Sequence, residues 1–259
     1  MAGNVILGSS RLTTGNEFFY PEWYARLYSM MGGDRIDHAY LAGWMLEPDC
    51  ELIAAPSLDQ MSLVGTGADP TVSAVAALND VPAFSGFTSS RRIRTAFAGG
   101  KNFTLIGLVN ITADMIAGNG HANRLFSRYS GGQNVDFSMT GAGVLYLQFG
   151  LGLVPVTVPS TSLTPGPHIV MATCRETAAD TFRVSIFVDD LSAPVSSASG
   201  VSFAMLTGGV WDIGSVALDT YWAGDIAGWL IIDGDITADA DGYAHLQATL
   251  PAALAWMTP

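Results

Sequence analysis

Phe182-Arg183-Val184-Ser185-Ile186-Phe187-Val188 alternates in side-chain character along its length. In an extended chain successive side chains point to opposite faces, so Phe182, Val184, Ile186 and Val188 share one face while Arg183 and Ser185 point the other way. One side is suited to burial and the other to water, the pattern of a strand in a sheet that covers a core. The same period of two places Val135, Phe137 and Met139 together, then Leu145, Leu147 and Phe149 together after Thr140-Gly141-Ala142-Gly143. These two runs predict a hairpin.

Working outward, Phe103 to Asn110, Ile169 to Cys174 and Ala227 to Ile232 are apolar on both faces, as central strands are. Arg91 to Phe97, Arg124 to Tyr129, Val154 to Val158, Val201 to Leu206 and Val210 to Val216 complete a set of about ten short strands. A parallel α/β fold needs helices of roughly 10–15 residues between its strands, and the intervening segments are too short and too rich in turn residues. Asp239 to Ala248 reads as a short helix near the end, and Pro21 to Met31 as another that starts on proline and stops at Gly32-Gly33. No internal repeat is visible. The expected fold is all-β, a two-sheet antiparallel jelly-roll sandwich preceded by an N-terminal extension.

Composition excludes several other classes. Of 259 residues, 49% are apolar and 13% charged, about half the usual charged share, so the chain is a packed protein rather than a disordered one. The net charge is −12 with a single lysine, Lys101, and the one basic cluster is Arg91, Arg92 and Arg94. Nucleic-acid binding needs a cationic surface to displace counterions, so neither nucleic acid nor an anionic membrane is an expected partner. No run of about 18 apolar residues suggests membrane insertion. The start MAGNVILGSS has neither a basic region nor a long apolar stretch, so a secretory leader is not expected and synthesis is assigned to a cytoplasm. Cys50 and Cys174 form no metal or redox spacing, and two buried thiols are the expected state, with a single bridge the alternative.

The N-terminal region differs in texture. Four of the five glutamates, Glu17, Glu22, Glu47 and Glu51, precede residue 52, and Phe18, Phe19, Tyr20, Trp23, Tyr24 and Tyr28 put six aromatics into eleven residues. So much aromatic surface is not left in water: it docks on a partner, the reading taken, or packs beneath the sandwich of its own chain. The expected division is 1–58 as an anchoring or interaction segment, with those six aromatics as partner-binding residues, and 59–259 as the sandwich.

The order of elements resembles the concanavalin A-like, laminin G-like jelly-roll family. The likeness lies in FTLIGLVN (103–110), RLFSRYSGGQNVDFSM (124–139), GVLYLQFG (143–150), the strand with His168-Ile169-Val170, the hairpin at Val188-Asp189-Asp190, and the closing run from Gly224-Asp225-Ile226 through Ile232-Asp233 to Ile236-Thr237. Asp190 stands where the family usually has glycine, and Ile236 where it has leucine. The resemblance covers roughly residues 85–250. It implies a sandwich on which glycans bind at the rim; Trp211, Tyr221 and Trp222 are the candidate sugar-stacking residues, and a core or intersubunit role is the favoured reading of the same three aromatics. Laminin G-like domains often carry a rim calcium. Here Asp233, Asp235, Asp239 and Asp241 give no EF-hand register, Asp239 reads as a helix cap, and no cofactor or metal is expected.

The superfamily also contains glycoside hydrolases, whose retaining mechanism needs two carboxylates about 5–5.5 Å apart. Their paired-glutamate strand motif is missing, and Glu176, the one glutamate of the sandwich region, reads as part of a turn. Asp212 with Asp219 or Asp225 is the remaining candidate pair, so the chain is expected not to be an enzyme, with a polysaccharide-cleaving hydrolase or lyase as the alternative. The arrangement of a short anchor before a jelly roll is similar to bacteriophage tail, fibre and capsid-decorating proteins. That likeness implies a virion structural protein whose partners are other virion proteins, further copies of itself, with a trimer expected, and a host surface glycan.

Overall fold

A computed structural model of the chain describes residues 38–41, 52–54, 59–66, 68–88, 91–131, 133–150, 152–216 and 220–259. In chain order the strands are β1 (His38–Leu41), β2 (Leu52–Ala54), β3 (Asp59–Val64), β4 (Thr71–Val75), β5 (Val81–Ser85), β6 (Arg92–Ala98), β7 (Phe103–Ile111), β8 (Asn123–Ser130) and β9 (Gln133–Met139). They continue as β10 (Leu145–Phe149), β11 (Leu153–Val158), β12 (Gly166–Ala178), β13 (Thr181–Val188), β14 (Ser196–Ser202), β15 (Val210–Ile213), β16 (Ser215–Val216), β17 (Thr220–Tyr221) and β18 (Asp225–Asp233). Among the described residues two α-helices join them, α1 (Ala113–Ala117) and α2 (Ala240–Met257).

All strands but β16 and β17, which pair with each other, form two antiparallel sheets, so the all-β, two-sheet sandwich read from the alternation is the fold. The first runs β14-β13-β12-β7-β18-β5-β4, with β1 also paired to β18, and the second runs β11-β10-β9-β8-β15-β6-β3-β2. β1 comes from within the 1–58 segment, and His38 to Leu41 lie opposite Ile231 to Gly228 of the central strand β18. The inner faces meet in one core that includes Phe103, Leu105, Phe126, Phe137, Leu147, Phe149, Val184, Ile186, Trp211, Trp222 and Trp229. The alternation in β13 divides as its chemistry requires: Phe182, Val184 and Ile186 face inward, while Arg183 and Ser185 stand on the outer face of the first sheet.

That outer face carries a second apolar layer. Ile106, Leu108, Ile169, Met171, Phe187, Leu230 and Ile232 stand there, and α2 covers them with Leu246, Leu250, Ala253 and Met257. Central strands apolar on both faces therefore have a partner on each side, the other sheet and a helix. Asp239 caps α2 by accepting a hydrogen bond from the Gly242 amide at 3.2 Å, as its position in the sequence suggests, and such a cap stabilises a helix by roughly 1 kcal/mol. The helix is longer than the expected Asp239 to Ala248. It continues through Pro251 to Met257, because the next turns also bury apolar residues on the sheet.

Other expectations shift in detail. The run Val201 to Leu206 is mostly irregular, and the strand at that edge is β14, from Ser196 to Ser202. Val210 to Val216 breaks at Gly214, whose φ is +79° and whose missing Cβ would stand 2.2 Å from Cε1 of Phe87. Glu176 is not in a turn but near the end of β12, where Lys101 donates to it and to Asp180, both at 2.8 Å. Cys174 is a free, fully buried thiol, and burial pushes its pKa upward. Cys50, the Pro21 to Met31 segment and all six N-terminal aromatics lie outside the described residues.

One inward position of the second sheet is an arginine. Arg128 is 1% exposed, and its guanidinium lies 4.9 Å from the Trp211 ring centroid and 5.6 Å from that of Phe103. It also donates to the Gly100 carbonyl and approaches the Met205 sulfur at 3.1 Å. Burial lowers its pKa to about 10, and the two aromatic faces stand where a carboxylate would otherwise be needed.

Candidate functional site

The predicted sugar-stacking residues separate. Trp211 and Trp222 are both 0% exposed, so neither ring face meets solvent: the core reading holds for both, and their candidacy as sugar-stacking residues is corrected. Tryptophan is the largest apolar side chain, and it is worth more in the core between the sheets than at the edge. Tyr221 is half-buried and stacks on His121, with ring centroids 4.5 Å apart and planes 25° off parallel. Near it, Asn119 donates to Asn123 at 3.1 Å, and the Asn123 side-chain oxygen also accepts from the Ala223 amide at 3.3 Å. This rim is a closed polar knot whose Tyr face is already occupied.

The candidate pair of Asp212 with Asp225 is not brought together either. Asp212 is on β15 in the second sheet and Asp225 on β18 in the first, and Asp219 lies outside the described residues. Asp225 is held by Ser85 and by Asn110, whose amide donates at 2.7 Å. Asp212 takes Nε of Arg92 at 2.8 Å and both Nε and Nη2 of Arg94 at 2.8 and 3.0 Å. A second carboxylate that the sequence reading passed over, Asp136, lies on the same outer face. Ser127 sits between the two, its neighbours in register being Asp212 on one side and Asp136 on the other. Ser127 donates to Asp136 at 2.6 Å, and Arg124 and Asn134 close its other oxygen. With Asp136 1% and Asp212 6% exposed and their oxygens occupied, neither presents a free carboxylate to a ligand. The row Arg94-Asp212-Ser127-Asp136 is a polar brace across four strands of the second sheet.

A concave site lies instead on the outer face of the first sheet, where α2 begins. β12 and β13 place Thr173 opposite Ser185 and Arg175 opposite Arg183. Ser185, 5% exposed, forms the floor of a cleft of about 250 Å³, with the two arginines at one end and Phe187 and Tyr243 at the other. Thr237, Ser192 and Pro194 complete the wall. The Tyr243 hydroxyl donates to the Leu191 carbonyl and its ring meets Phe187 edge-on at 6.2 Å, so the aromatic wall is held from two sides. Burial raises the pKa of Tyr243, with the charges of Asp190 and Asp235 adding to the effect. Thr237 donates to Asp235 at 2.6 Å. The cleft is smaller than the roughly 300–1,000 Å³ of drug-sized sites, so it suits a single sugar ring or a group of that size. It offers hydroxyl and guanidinium donors and one aromatic side, and holds neither a histidine nor a nucleophile with a base. Among the described residues no group of three or more His, Cys, Asp or Glu side chains is placed to hold a metal ion.

The sequence contained a signal for this site. Arg183 and Ser185 were legible as the wet face of β13, but nothing in the sequence showed that Arg175 and Tyr243, eight residues before and sixty after Arg183, would stand beside them.

No protein-family model matches the sequence, and no curated protein sequence matches it. Solved structures do. Domain 4 of AbnA, an extracellular GH43 arabinanase from Geobacillus stearothermophilus solved with arabinotriose, is similar at a TM-score of 0.57 and 10% identity over 83% of this chain and 98% of that one. A mutant of Trypanosoma rangeli sialidase with trans-sialidase activity is similar at 0.54 and 11% identity, over 86% of this chain and 34% of that one. A mutant of HCR/D is similar at 0.54 and 11%, over 82% of this chain and 52% of that one. At these identities the likeness shows a shared β-sandwich fold. No helix among the described residues is long and apolar enough to cross a membrane.

Proposed function

We propose that this chain is a non-catalytic, glycan-binding β-sandwich of the concanavalin A-like class, acting as a structural component of a bacteriophage virion. The observation that carries the binding half is the cleft at the start of α2: a small concave site with an aromatic wall, a hydroxyl floor and paired guanidinium donors, which is what weak recognition of a sugar ring needs. Two of the similar folds come from glycoside-processing proteins, one of them solved with a bound arabinose oligomer, which supports a carbohydrate-directed use of such a sandwich. The non-catalytic half is supported by the closure of Asp212, Asp225 and Asp136 within hydrogen-bond networks. Glycoside hydrolysis needs one carboxyl group free to give a proton and another free to meet the sugar.

The virion half rests on the sequence: the aromatic segment ahead of the sandwich, the resemblance to tail, fibre and capsid-decorating proteins, and the acidic, lysine-poor composition. Fibre-like components close by cyclic symmetry, and a trimer is the proposed state.

The test is binding of the full chain to a glycan array together with a reducing-end assay on the retained polysaccharides. Retention that Tyr243→Ala abolishes, without new reducing ends, is the expected result. Release of reducing ends above a buffer control, lost in Asp212→Asn or Asp136→Asn, would refute the non-catalytic reading. For the virion role, mass spectrometry of purified particles should find the chain, and Trp23→Ala with Tyr24→Ala should remove it from them. Particles that retain the double variant at full occupancy would show that the aromatic segment is not the anchor.

A further inference from the structure

The cationic side chains are not distributed evenly in their pairing. Arg91, Arg92, Arg94, Lys101 and Arg124 each sit in direct contact with a carboxylate, and Arg128 is buried against two aromatic rings. The two arginines of the cleft are different. Arg175 has its nearest carboxylate oxygen, on Asp235, at 3.8 Å from Nε, and Arg183 forms no ion pair among the described residues. They are also direct cross-strand partners, Arg175 on β12 opposite Arg183 on β13. Like charges set opposite each other on one face of an antiparallel pair repel and destabilise it. In a chain with 23 acidic residues and 11 Lys and Arg, this pair beside a cleft, relieved only on the Arg175 side by Asp235, stands out.

We infer that the cleft takes an anionic saccharide, with the carboxylate or sulfate of one sugar residue lying between the Arg175 and Arg183 guanidiniums and the ring against Tyr243. This deepens the glycan-binding reading and rests on it. A planar guanidinium presents two parallel N–H donors that match the two oxygens of a carboxylate or sulfate, and two such groups converging from neighbouring strands can hold one anion from both sides. Ser185 is within the same cleft to donate to a remaining oxygen. The overall charge of −12 does not cancel this attraction. At physiological ionic strength charges further than about 8 Å are largely screened, so the nearest groups decide: Asp235 pairs with Arg175, Asp190 stands at the Ser192 and Tyr243 end of the cleft, and Arg183 has no ion pair among the described residues.

The experiment is an array in which uronate, sialylated and sulfated glycans each stand beside the neutral counterpart, probed with the full chain and with Arg183→Gln, Arg175→Gln and Tyr243→Ala. The expected result is at least tenfold stronger retention of an acidic glycan than of its counterpart, and a tenfold or greater loss in either arginine variant. Thermal unfolding without ligand keeps the result interpretable: Arg183→Gln should unfold at the same or a higher temperature than the parent chain, because it removes repulsion and no ion pair. Equal retention of acidic and neutral forms, abolished by Tyr243→Ala, would overturn the anionic inference and leave the glycan reading standing. Acidic glycans bound equally by both arginine variants would overturn the placement of the charge in this cleft. Absence of any retained glycan would overturn both.

Discussion

Asp212→Asn discriminates between a structural and a catalytic carboxylate. The carboxylate accepts three hydrogen bonds from two guanidiniums at 2.8–3.0 Å and is 6% exposed. Asparagine keeps one acceptor oxygen and turns two donors toward groups that only donate, so about two charge-assisted bonds are lost. At roughly 1.5 kcal/mol each this is about 3 kcal/mol, discounted toward 2 because the Arg94 side chain is 39% exposed and can rotate into water. With a urea slope of about 3 kcal/mol per molar for a chain of this size, the unfolding midpoint should fall by about 0.7 M. Arg94→Gln alone should lose less, and the double variant less than the sum of the two, with a coupling of about 1–2 kcal/mol. Urea unfolding followed by tryptophan fluorescence measures all three, since Trp211 adjoins the site in sequence. A midpoint unchanged within 0.2 M in Asp212→Asn would refute the brace and leave Asp212 as a group kept for chemistry.

Gly214→Ala should cost at least about 2 kcal/mol, since the new Cβ would meet the Phe87 ring at 2.2 Å on a backbone of positive φ, and a stability near that of the parent would show that this close approach is not real. Leu246→Ala should cost about 3 kcal/mol by opening a cavity under α2, and hydrogen exchange should then speed up in the helix before the sheets; uniform exchange would mean that the helix is not a separate layer. His168 hydrogen-bonds through Nδ1 to Asp189 at 2.8 Å and through Nε2 to the Thr164 carbonyl at 2.6 Å, two acceptors that both ring nitrogens satisfy only when protonated. Burial works against the imidazolium, but these partners outweigh it and the pKa is raised above 6.5. The resulting stabilisation is fully present below pH 6.5 and is lost as pH rises through the folded-state value; His168→Gln should flatten that part of the stability profile, and an unchanged profile would remove His168 from it. Cys174 should not react with a thiol reagent in the native protein and should react fully in denaturant.

The sequence by itself determined the fold class. Alternation in Phe182 to Val188, in Val135 to Met139 and in Leu145 to Phe149 is a local property, since each side chain's face follows from the pleat of its own strand. The helix cap at Asp239 and the closing strand from Asp225 to Asp233 were legible for the same reason. What the tertiary structure decided were quantities set by distant parts of the chain. Trp211 and Trp222 left a rim and a core role open, because aromatics near turns suit both, and only the packing of two sheets showed that they are interior. Asp136 gave no signal, because a lone aspartate in an alternating strand becomes a brace only when Arg124 and Ser127 of the neighbouring strand come beside it. The cleft is of the same kind. Arg175 and Arg183 are brought together by the pairing of β12 with β13, and Tyr243 enters the same cleft because α2 folds back over the sheet. Strand faces are fixed by a period of two residues, whereas a site is fixed by register and by which layer lands on which face, and those depend on contacts between segments far apart in the chain.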